Sequence, residues 1–146
     1  MEVRVAASVG VERQLQSMHM GLHEKVPGIK CPWEINILGA LGECAYCKFR
    51  AHYWNFSVNT FKNIPDVGCN VQIRTTAPNL RLIVRPEDPS DQYFVHIRGE
   101  CPTYEVVGWI LGKDAKQPGW LEAVNGRSPA YFVPDNALTP FKLKAA

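Results

Sequence analysis

The chain lacks any apolar run approaching the roughly 18 residues of a membrane span, so no membrane partner is expected. It also lacks a strong charge imbalance. Sixteen basic residues against 14 acidic leave a net charge of +2. That permits a nucleic-acid partner without demanding one, since a local patch would have to supply the attraction. The first residues, MEVRVAASVGVERQ, are interrupted by Arg4, Glu12 and Arg13 and hold no continuous apolar stretch, so no signal peptide is expected. No internal repeat and no low-complexity tract occurs. Cysteines number five, an odd count, and without a secretory signal they read as reduced thiols in a cytoplasm.

What is present suits an ordinary globular domain. The 146 residues are 46% hydrophobic and 21% charged, enough for one domain with a real core. Apolar groups at Val5, Val9, Val11, Leu15, Met18 and Leu22 predict an amphipathic helix over 3–22, with Gly10 as a break point. EKVPGIKCPWE, 24–34, reads as a loop. Leu38, Leu41, Ala45 and Phe49 recur at helical steps, predicting a helix from about Gly39 to Tyr53. The second half changes period. VQIRTT, LRLIVRP, YFVHIRG and TYEVVGWILG are short β-rich runs separated by turn chemistry. Residues 114–134 read as loop, short helical turn and a last extended piece, and ALTPFKLKAA as a loosely held end. The expectation is an α+β domain with N-terminal helices packed on a mixed or largely antiparallel sheet. Its parts are a helical region and loop (1–34), a core (35–116) and a C-terminal extension (117–146).

PDVGCNVQIRTT carries the chemistry. Val67 and Val71 flank a Gly-Cys-Asn loop, a common hairpin connection. If 67 pairs with 71, Asp66 and Gln72 become cross-strand neighbours, with Cβ atoms about 5 Å apart. Gln72 and Arg74 then share a face, and Ile73 points into the core. A polar solvent-facing hairpin would carry the same residues. Glu43 falls near the start of the predicted second helix, where a carboxylate also suits the helix dipole. A second acid opposite Asp66 would give a hard-oxygen site for Mg2+ or Mn2+. The Gln72 side-chain oxygen and the Ile73 carbonyl would be further ligands.

Glu43 on a helix, Pro65-Asp66, and Gln72-Ile73-Arg74 in that order resemble the PD-(D/E)XK nuclease superfamily. The wider pattern, GALGECAYCKF through YEVVGWILGKDAK, is similar to small phage proteins of this nuclease-like type. The resemblance covers about residues 36–116. It implies a restriction-endonuclease-like core and metal-assisted in-line attack on DNA phosphodiester bonds, in the host cytoplasm if the chain is phage-encoded. It implies that Glu43 and Asp66 hold the metal, Gln72 completes its shell and Arg74 sits against the phosphate. Lys62 and Lys48 would contact the DNA backbone, although a solvated loop or helix lysine reads the same way. A homodimer would suit an enzyme that cuts both strands. Gln72 stands where the family usually has an acid, and Arg74 where it has Lys. Arginine, with a pKa above about 12, cannot serve as a general base. These departures leave open a catalytically inactive DNA-binding domain of the same fold.

Other constellations compete. Cys44 and Cys47 form a CxxC pair that, with Cys31 and Cys69, could bind zinc in an interaction or assembly protein. Buried free cysteines are the plainer reading. His19 and His23 are four apart, but no acid of the HExxH kind lies between them. His96 is expected on a sheet surface, Asp88 in a polar hairpin loop, and Tyr53 and Trp54 in core or helix-end packing rather than as base-stacking platforms.

Overall fold

The computed structural model describes residues 2–21, 31–58, 64–124 and 126–142. Two helices lead: α1 (Glu2–His19) and α2 (Pro32–Arg50). The loop expected up to residue 34 ends earlier, because Pro32 occupies the first helical turn, where its missing N–H costs nothing. The helix stops at Ala51, which takes the left-handed conformation (φ 52°) and donates its N–H to the Lys48 carbonyl.

Gly10 does not break α1. A Cβ there would collide with the Ile37 backbone, so the glycine is where α1 lies directly on α2. The buried stripe of α1 is accordingly Ala6, Val9, Gly10 and Gln14, while Val5, Leu15 and Met18 are exposed. Small residues win the interface because they let the two backbones approach. Gln14 accepts a hydrogen bond from Asn36 across the same interface.

Beyond the helices come β1 (Val71–Thr76), β2 (Leu82–Val84), β3 (Tyr93–Glu100) and β4 (Thr103–Leu111). The short α3 (Gly112–Ala115), β5 (Leu121–Glu122) and β6 (Ala130–Val133) follow. One sheet has the order β1-β3-β4 and the other β2-β6-β5. β1 runs parallel to β3, with Gln72 opposite Phe94 and Arg74 opposite His96; every other pairing is antiparallel. Parallel neighbours need a long crossover, and residues 77–92, including β2, provide it. The domain is therefore α+β, with N-terminal helices and a small mixed sheet.

β3 serves two cores. Val95 and Ile97 join Ile73, Ala6, Val9, Ala40 and Leu41 beneath the helices. Phe94 joins Leu82, Val84, Ile110, Val133 and Leu138 in a second cluster. Of the tail expected to be loosely held, residues 139–141 are anchored, and 143–146 lie outside the described residues. Thr139 pairs with Trp109 through two backbone hydrogen bonds, and the Phe141 ring contacts Tyr46 and Phe49. No helix among the described residues is long and apolar enough to cross a membrane.

Candidate functional site

Glu43 lies in the middle of α2, not near its start, so the helix dipole does not explain it. The preceding residue, Gly42, is where α2 meets β1: a Cβ on it would overlap the Thr75 side chain. Close approach at Gly10 and Gly42 carries Arg13 and Glu43 into one layer between helices and sheet. There Glu43, only 5% exposed, is gripped at two points. Arg13 Nη1 donates to Oε1 and Nη2 to Oε2, each at 2.7 Å. Trp54 Nε1 donates to Oε2 at 3.2 Å. Arg13 is itself anchored, donating from Nε and Nη2 to the Ser57 carbonyl at 2.9 and 2.7 Å. Burial alone would lower the Arg13 pKa. Its hydrogen bonds to Glu43 and the charges of Glu43 and Asp66 outweigh that and raise it.

The hairpin forms with the expected register. Val67 bridges Val71, which brings Asp66 alongside β1. Asp66 does not point at Gln72 alone; its Oδ2 accepts the Ile73 N–H at 2.6 Å. That amide therefore points away from β3. In an extended strand, N–H and C=O of one residue leave on the same side, so the Ile73 carbonyl also faces the outer edge of β1, where Asp66 sits. Burial, and then the charge of Glu43, push the Asp66 carboxyl up to about 6, against the pull of the Ile73 N–H, Arg74 and Arg13. The two acids thus lie in one electrostatic neighbourhood and repel each other.

Gln72 and Arg74 project from the face opposite the helices. Gln72 Nε2 donates to Gln92 Oε1 at 2.8 Å and to the Ile64 carbonyl at 3.4 Å. Both amide protons are thereby used, and Oε1 accepts no hydrogen bond among the described residues. Arg74 donates to Asp88 Oδ1 at 3.1 Å, with its guanidinium 5.3 Å from the Phe94 ring centroid, within reach of a cation–π contact. Its charge still reaches Asp66, which it helps to hold ionised. The structure brings together Glu43, Asp66 and the backbone of Ile73, with the Arg74 charge beside them. It commits the Arg74 side chain itself to an internal ion pair. Lys48 is exposed and paired with Glu2 at 2.7 Å. Lys62 lies outside the described residues, as does His23.

Several expectations are corrected. Asp88 is not a solvated loop acid: it is 3% exposed, and its Oδ2 accepts the Arg85 N–H at 2.8 Å. His96 is not on a surface. It is fully buried, with Nε2 2.8 Å from Thr76 Oγ1, and burial first, then Arg98, pushes its pKa down to about 4, so it stays neutral at pH 7. Tyr53 does not pack at the helix end; it is 81% exposed. Cys31, Cys44, Cys47 and Cys69 do not gather. Cys31 caps the start of α2, on the order of 20 Å along the axis from Cys44. Burial, then the charge of Glu43, raises the Cys47 thiol to about 11, and burial raises Cys44, so both stay protonated rather than thiolate.

Among the described residues, no three His, Cys, Asp or Glu side chains form a metal-holding group. What the structure brings together is of another kind: two acids and one backbone carbonyl, with the Gln72 amide on the other face of β1. Its chemistry fits a hard divalent cation, because such an ion would relieve the repulsion that raises Asp66. Arg13 now balances Glu43 in that role. In the sequence Arg13 figured only as a break in the apolar N-terminal stretch. Its position three residues after Gly10, on the stripe of Ala6 and Val9, was the signal that it is buried. Comparison with protein-family models, curated proteins and solved structures finds no match.

Proposed function

We propose that this chain is a magnesium- or manganese-dependent deoxyribonuclease with a restriction-endonuclease-like core of the PD-(D/E)XK type. One observation carries the reading. Asp66 is held beside a buried glutamate at an electrostatic cost, and one hydrogen bond to Ile73 is its only partner among the described residues. Acids kept where they destabilise the fold mark sites under selection for chemistry rather than stability.

Glu43 and Asp66 would hold the cation, with the Ile73 carbonyl as a further ligand; Gln72, on the other face of β1, would support that strand rather than complete the shell. Bound there, Mg2+ or Mn2+ would supply a Lewis acid and an activated water for in-line attack on a phosphodiester. Arg13 fixes the orientation of the Glu43 carboxylate. The positive charge of Arg74 favours an anionic phosphate at the rim. Lys48 and Lys62 would contact the DNA backbone. A phage-type nuclease of this kind would work in the host cytoplasm, as a homodimer where both strands are cut. The test is purified protein with Mg2+ or Mn2+ on linear, nicked, branched and single-stranded DNA. Cleavage lost in Asp66→Ala supports the reading; no cleavage of any substrate, by either protein, ends it.

A second reading is a catalytically inactive DNA-binding domain of the same fold. The two-point clamp of Arg13 on Glu43 favours it, because the guanidinium stands where a cation would have to bind. It predicts salt-dependent DNA binding that survives Asp66→Ala, with no metal-dependent cleavage.

A further inference from the structure

Beside the acids, the end of α2 opens into a cleft of about 350 Å3 lined by Lys48, His52, Tyr53, Trp54 and Phe56, with Glu2 as its one acidic residue. Three aromatic rings within four residues form a short ladder here. Tyr53 meets Phe56 edge-on at 6.1 Å, and Phe56 leans on Trp54 at 4.9 Å. The outer two rings are left open, Tyr53 at 81% and Phe56 at 42% exposure, while Trp54 forms the buried floor. The Phe56 backbone is in the left-handed region (φ 55°), which a bulky residue adopts only at a cost.

We infer that this cleft receives an unpaired nucleobase of the DNA strand, next to the phosphate presented to Glu43 and Asp66. Aromatic faces with cations around them are the chemistry that holds single-stranded DNA, since every base has a π-face. The rim supplies the charge. Lys48 and His52 line the cleft, and Arg50 is exposed on the same helix end. The single acid, Glu2, is held only by an exposed pair with Lys48, which a phosphate could replace. Continuity with the acids is direct: the indole that floors the cleft also donates its Nε1–H to Glu43. A base stacked on the open rings of Tyr53 and Phe56 would therefore lie over the indole that contacts Glu43. A fully paired duplex offers no free π-face to this cleft, so the preferred substrate has an overhang, flap or gap.

The inference rests on DNA being the substrate, and binding is measured apart from cleavage to keep the two separable. The full chain is titrated, in EDTA, with a blunt hairpin duplex and with the same duplex carrying an overhang that contains 2-aminopurine. The overhang should bind about tenfold more tightly, with quenching of the 2-aminopurine as it stacks. Tyr53→Ala should remove most of that preference, and Tyr53→Phe should keep it. Tyr53 is exposed, so its loss does not threaten folding, and Phe56→Ala serves as the second variant. Equal affinity for blunt and overhung DNA, or an unchanged preference in both alanine variants, overturns the inference even if the protein cuts DNA. Self-association that disappears in Tyr53→Ala would give the rings to a second copy of the chain and overturn it too. An overhang preference in an unaltered protein that cuts none of the DNA substrates with Mg2+ or Mn2+ would sustain the cleft while removing the nuclease.

Discussion

Two buried acids in this molecule are each paired with an arginine, and they are not alike. Asp88 sits between the crossover and β1 with both oxygens answered: Oδ1 by Arg74 and Oδ2 by the Arg85 N–H. A second cation, Lys116, donates to the Asp88 carbonyl next to it. Nothing of like charge acts against it in the contacts described. Glu43 is clamped more tightly, by Arg13 and Trp54, yet a second acid, Asp66, has been set within its field. One ion pair closes its local charge balance and the other leaves a negative surplus. A buried pair that balances is a structural joint. A buried pair with a surplus acid costs stability that a bound cation would recover.

The largest expected effect separates the two acids by activity. Asp66→Asn and Glu43→Gln should each lower Mg2+-dependent cleavage by more than about a hundredfold, beyond the 10–100-fold typical of outer-shell changes. Asp88→Asn should stay within about tenfold of the unaltered protein. Equal losses in all three, measured on a single labelled substrate, would erase the distinction.

Next comes stability. Arg13→Gln leaves the buried Glu43 without its clamp and should cost about 3–5 kcal/mol in urea unfolding. Arg74→Gln should cost less, about 1–3 kcal/mol, since Arg74 is a third exposed and Asp88 keeps its backbone donor. A reversed order would show that the surplus acid has no bearing on how tightly its partner is needed.

Smaller still is the pH signature of Asp66. Its carboxyl titrates near about 6 in the folded chain, and near about 3.9 once unfolded. Between those values the folded state holds a proton that the unfolded state has released. Stability should therefore fall as pH rises from about 4 to about 6 in metal-free buffer, then level off, by on the order of 1–3 kcal/mol. Asp66→Asn should abolish this slope and be the more stable protein at pH 7. A flat wild-type profile would mean that neither burial nor Glu43 raises the Asp66 carboxyl. The smallest effect belongs to Lys48→Ala, whose exposed pair with Glu2 should leave the melting temperature unchanged.

These acids also show what could be read in advance. The hairpin was legible because valines flank a glycine turn, and the Val67–Val71 bridge follows from that pattern alone. The convergence of Glu43 and Asp66 was an expectation drawn from a resemblance rather than from local pattern; in the structure burial and then the Glu43 charge raise Asp66. Arg13 was illegible to a search for apolar faces, because the α1 interface is built from Ala6, Val9 and Gly10 rather than from its larger residues. The start of α2 was missed because Pro32 was taken for a loop residue, although a first-turn proline also opens helices. Asp88 and His96 looked solvated because local sequence does not reveal that a second sheet lies over β3.

At Gly10 α1 lies on the Ile37 backbone, and at Gly42 α2 lies on the Thr75 side chain of β1, one contact near Arg13 and the other beside Glu43. A single methyl at either position would act as a wedge, driving helix from helix or helix from sheet. The first thing to go out of alignment would be the guanidinium and the carboxylate, before the hydrophobic interior gave way. Those two positions work like gauge blocks, and reshaping them would retune the acids without altering a single charged side chain.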